Sequence, residues 1–146
     1  MDQKEKQFQS AFHFSAKQVF LLILLGLAFW FTGALTVQFG SPLHIFGGIP
    51  GAILFVLSLP IAWVSVMLMI KITNLKSFQF VPGISIGLAA ATFFDGVFLT
   101  WIPSLYGSNT DEMMLGAAWI LWGAFAFIGA AFFEAYRREK KELYSV

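Results

Sequence analysis

Four apolar runs constrain what this chain can fold into. Residues 19–39, 51–70 and 113–133 carry no charge over 21, 20 and 21 positions, and residues 81–102 carry one charge, Asp95, over 22. A bilayer core is about 30 Å thick and a helix rises about 1.5 Å per residue, so roughly 20 residues cross it. None of the runs alternates as a barrel strand would, and an open sheet leaves its backbone unpaired in lipid. The expected fold is therefore all-α: an integral membrane four-helix bundle, one domain over residues 1–146, with tails at 1–18 and 134–146. The first run is too long for a signal-peptide core and no clear small-residue cleavage site follows it, so it reads as an uncleaved span.

Composition agrees. Hydrophobic residues make up 58% and charged residues 12%, where a soluble domain carries roughly 25% charged. That is too little charge to coat a water-soluble globule and too much apolar surface for a disordered chain. A net charge of +1 argues against nucleic acid as a partner. With no cysteine there is no disulfide, thiol nucleophile or thiolate metal site. No cofactor motif, metal-ligand cluster or nucleophile–base pair is visible, and an enzyme is not expected.

Charge sets the expected orientation. All nine basic residues fall in three places: Lys4, Lys6 and Lys17 before the first span, Lys71 and Lys76 between the second and third, and Arg137, Arg138, Lys140 and Lys141 after the fourth. The segments 40–50 and 103–112 have none. Positive segments stay inside, which places both termini in the cytoplasm of a multi-pass cell-membrane protein. An even number of spans demands the same. Joining segments of about ten residues predict antiparallel packing of consecutive helices, and Pro60, inside the second span, predicts a kink.

Two patterns concern the helices together. Phe29-Trp30-Phe31-Thr32-Gly33 resembles Thr92-Phe93-Phe94-Asp95-Gly96, which predicts a parallel two-helix internal repeat with Thr32 as the counterpart of Asp95. Gly26 with Gly33, and Gly116 with Gly123 and Ala130, recur at seven residues and predict smooth stripes for close packing.

Asp95 is the one residue that points to chemistry. An aspartate deep in a span costs about 2.5–3.5 kcal/mol to insert, and such residues face the bundle interior. At roughly 100° per residue, Thr92 and Ser85 fall beside it on the same face. No Lys, Arg or His lies within the spans. Its expected partners are neutral: Thr32, Thr36, Ser58 and Ser65, and the indoles of Trp30, Trp63, Trp119 and Trp122. The expected site is an intramembrane proton or cation group at Asp95, supported by Thr92, Ser85, Thr32 and Ser65. Glu134 stands three and four residues before Arg137 and Arg138, a spacing for a local ion pair. Trp101, Tyr106 and Tyr144 suit interfacial belts.

Asp95-Gly96, the turn Ile102-Pro103-Ser104-Leu105-Tyr106 and Ala118-Trp119-Ile120-Leu121-Trp122-Gly123 resemble a group of small bacterial four-span membrane proteins of unknown function. That resemblance implies a shared element and no activity. Two functions stay open at this level. One is proton- or cation-coupled transport through Asp95. The other is a non-transporting assembly or regulatory subunit acting through helix–helix contacts. The expected partners are the lipid bilayer and a second copy or another membrane protein.

Overall fold

A computed structural model describes residues 11–144. It holds four long helices: α1 (Ala16–Gly40), α2 (Gly48–Thr73), α3 (Phe80–Trp101) and α4 (Thr110–Tyr144). No strand occurs among the described residues, and all four helices are long and apolar enough to cross a membrane. Lys4 and Lys6 lie outside the described residues. Large apolar side chains such as Phe20, Ile61 and Leu121 stand exposed on the exterior, a surface better suited to lipid than to water.

Local chemistry explains the boundaries. Ser15 caps α1 in a capping box, accepting from the Gln18 N–H while Gln18 Oε1 accepts from the Ser15 N–H. α2 ends on Asn74 in the left-handed conformation, φ 51°, which asparagine tolerates better than most residues. Pro103 cannot continue α3, and a single 3-10 turn, Pro103–Leu105, follows at once. α2 runs unbroken through Pro60, whose side chain is exposed. α4 continues as helix to Tyr144, carrying the basic residues that follow the fourth apolar run.

The packing departs from the sequence expectation. The closest pairs are α1 with α3 and α2 with α4; α3 also packs on α4, while α1 and α2 touch only sparsely. Consecutive helices are therefore not the main partners. Gly26 meets Gly87, and Trp30 meets Phe94 and Phe98, so α1 and α3 run parallel. Phe46 meets Trp119 and Phe55 meets Trp122, so the α2–α4 side is parallel too. The order round the bundle is α1–α3–α4–α2. The contact of Trp30 with Phe94 sets the two similar stretches, 29–33 and 92–96, side by side on parallel helices.

The glycine stripes are half filled. A methyl on Gly26 would run into the Gly87 carbonyl, and one on Gly116 into Val37, whereas Gly33 and Gly123 have nothing within 4 Å of the same position. Close backbone approach uses one glycine of each stripe and leaves the other facing open space.

Two apolar cores result. One surrounds Leu22, Val66, Met69, Phe80 and Ile84. The other surrounds Val37, Phe46 and Tyr106. Beside the first, Gln79 Nε2 donates to the His13 carbonyl (2.7 Å) and Gln18 Nε2 to the Thr73 carbonyl (3.2 Å), tying the start of α1 to the ends of α2 and α3. The Glu134 side chain is 0% exposed at that end. Arg137 grips it through Nε and Nη2, both at 2.9 Å, and Arg138 Nε adds a third bond at 3.0 Å. The two guanidiniums then lie over Trp63 and Phe80. The expected ion pair forms as a triad.

Candidate functional site

Between the two cores lies a cavity of about 300 Å³, walled by all four helices. It is mostly apolar, with Phe29, Trp30, Trp119 and Phe127 in its walls. Its polar lining is Thr32, Thr36, Ser58, Ser65, Thr92 and Asp95. Thr32 and Thr92 are exposed, so the cavity is open at the side rather than sealed.

Asp95 reaches the cavity half-buried, from the last two turns of α3. Its partner comes from beyond the end of that helix. The 3-10 turn after Pro103 is closed by the Tyr106 N–H donating to the Pro103 carbonyl (2.9 Å) and reverses the chain. Tyr106 is thereby driven back into the bundle, where it is 0% exposed among Val37 and Phe46. Its hydroxyl donates to Asp95 Oδ1 at 2.7 Å. Trp30 Nε1 on α1 donates to the same phenolic oxygen at 3.3 Å, and its indole packs on Phe94 and Phe98. The result is a directed chain, Trp30 to Tyr106 to Asp95, anchored on two helices and a turn. A short O–H···O bond to a carboxylate is among the stronger hydrogen bonds, and buried linked bonds reinforce one another.

The structure gathers most of the sequence-expected residues. Thr92, Thr32 and Ser65 line the cavity with Asp95. Ser85 does not: it lies ten residues earlier, roughly 15 Å along the helix, and donates to the Val81 carbonyl (2.8 Å). A shared helical face carried no information about axial distance. Among the indoles, Trp30 serves Asp95 through Tyr106, and Trp122 donates to the Phe55 carbonyl (2.9 Å). Trp119 Nε1 is buried without a hydrogen-bond partner among the described residues. Tyr106 itself corrects the sequence reading, which placed it at the membrane interface. The available signal was Pro103: a helix stop three residues earlier returns residue 106 toward the helix it has just left.

Among the described residues no cluster of His, Cys, Asp or Glu is arranged to hold a metal ion. No family model, curated protein or solved structure matches the chain. Function must be argued from the cavity.

Proposed function

We propose that this protein is a small membrane carrier that couples movement of a proton or cation to Asp95. The observation that carries this reading is one carboxyl group in a laterally open intramembrane cavity whose lining includes no cationic side chain. A negative charge in that setting is costly until a proton or cation joins it. The Tyr106 hydroxyl and the Trp30 indole behind it hold the carboxyl in place while it exchanges that partner. With both termini cytoplasmic, as the basic segments favour, the core around Leu22 and Phe80 closes the cytoplasmic end and Asp95 lies toward the outer half. We read the chain as a non-enzyme of the cell membrane that works without a cofactor.

A second reading is an assembly or regulatory subunit. Gly96 and Gly129 favour it, both exposed with open space around them, as a face for a second copy or another membrane protein. The two are separated in sealed proteoliposomes holding a pH-sensitive dye. A pH gradient is imposed and sodium, potassium or 2-phenylethylammonium chloride is added. Wild type moves protons with at least one of them, and Asp95→Asn with none. A folded wild-type protein inert toward all three refutes the carrier and leaves the subunit reading.

A further inference from the structure

The geometry points to a protonated amine as the cavity's ligand: an ammonium keeping at least one N–H, on a small aromatic body. This rests on Asp95 being the charged group of the site and adds what it binds.

The polar wall accepts and scarcely donates. The Thr32 hydroxyl donates to the Ala28 carbonyl (2.9 Å), Thr36 to Thr32 (2.8 Å), Thr92 to Leu88 (3.0 Å) and Ser58 to Phe55 (2.6 Å). Each proton is spent on its own helix, so each oxygen turns only lone pairs outward. The Trp30 N–H is spent on Tyr106, and the Tyr106 hydroxyl on Asp95. Ser65 is the one lining hydroxyl with no such acceptor among the described residues. A wall of acceptors around one carboxylate selects a ligand made of donors and positive charge. Anions, carboxylic acids and phosphates would face the Asp95 carboxylate, with only the Ser65 hydroxyl and the buried Trp119 N–H left to donate among the described residues.

The rest of the wall narrows the class. A hard metal cation takes six or more oxygens, and most of this surface is hydrocarbon. The aromatic walls offer cation–π and apolar contact to an organic ammonium instead. A volume of about 300 Å³ lies at the lower edge of the roughly 300–1,000 Å³ typical of ligand pockets, which sets a small ligand. A quaternary ammonium carries the charge but no N–H and leaves the acceptors unpaired, a loss in binding. The sparse contact between α1 and α2 opens a route for an amphiphilic amine from the lipid.

The test uses the full chain in lipid nanodiscs, with three probes matched in body: 2-phenylethylammonium, its N,N,N-trimethyl analogue and neutral 2-phenylethanol. Binding is read by calorimetry and tryptophan fluorescence. The primary ammonium binds, and the other two bind at least about tenfold more weakly, as expected for loss of a hydrogen bond to a charged group. Asp95→Asn weakens the ammonium by at least about tenfold. Thr92→Val, which deletes one acceptor at nearly constant shape, weakens the ammonium several-fold more than the trimethyl analogue. That comparison stands even where the Asn variant fails to fold. Equal affinities for the primary and quaternary ions overturn the inference. Difference infrared spectra of the Asp95 carboxyl separate the two levels. If the band responds to acid or sodium while no amine binds, the ligand is wrong and the cation site stands. If the band responds to nothing, both fall.

Discussion

Replacing Tyr106 by Phe tests the relay directly. The substitution keeps the ring, which is 0% exposed and packed beside Val37 and Phe46, and deletes only the hydroxyl. Two bonds go with it, the 2.7 Å donation to Asp95 and the 3.3 Å acceptance from Trp30. Losing a bond to a charged group costs about 1.5–3 kcal/mol, and a neutral bond about 0.5–1.5. The second is long for N–H···O, so the lower end applies to it. The expected loss is about 2–3.5 kcal/mol, large against the total stability of a small domain. Equilibrium unfolding in mixed detergent micelles, followed by helical circular dichroism, measures it. A double-mutant cycle with Asp95→Ala, which removes the acceptor, isolates the shared bond, and residues in one hydrogen-bonded network couple by about 0.5–3 kcal/mol. Wild-type stability for Tyr106→Phe, or additivity with Asp95→Ala, would show that the hydroxyl and carboxyl do not act as a pair.

Three other outcomes follow from the packing. Gly26→Val should cost about 1–3 kcal/mol or prevent folding, because its side chain meets the Gly87 carbonyl, while Gly96→Ala, with open space around it, should be neutral or slightly stabilising; thermal melts in detergent compare them. Removing both guanidiniums in Arg137→Ala/Arg138→Ala should destabilise the fold, since the buried Glu134 is left unpaired. Glu134→Gln should cost less, because the arginines are 38% and 42% exposed and can turn to water; the same melts rank the pair, and the reverse order would refute the asymmetry. Single cysteines at Leu43 and Ser108, both exposed, should react with an impermeant thiol reagent in intact cells while one at Lys76 does not. Ser41 is too buried to serve as a reporter. Labelling at Lys76 alone would invert the orientation.

The ion triad shows where sequence reading succeeds. Glu134, Arg137 and Arg138 lie on one helix, so their spacing alone brings them together. The four helices were legible for a similar reason: hydrocarbon demands that each backbone satisfy itself within its own span, so length and hydropathy nearly suffice. Asp95 was legible because lipid makes one charge conspicuous.

Which helix packs on which was not legible. In lipid every helix face is apolar, so no polar boundary marks the buried side, and small residues decide contact only where two of them meet. Gly26 finds Gly87, whereas Gly33, seven residues on, finds open space. The same holds for the site. A wheel drawn on α3 grouped Ser85 with Asp95 although an axial distance of roughly 15 Å separates them, and no pattern within one helix could assign a partner from a turn. By itself, then, the sequence determined the four apolar runs, the ion triad and the one carboxyl group set within those runs, because each follows from local geometry or from the cost of charge in lipid. Only the tertiary structure decided that Tyr106 turns inward to hold that carboxyl and that a cavity opens beside it, because the first depends on how the 3-10 turn after Pro103 folds back and the second on where helices distant in the chain meet.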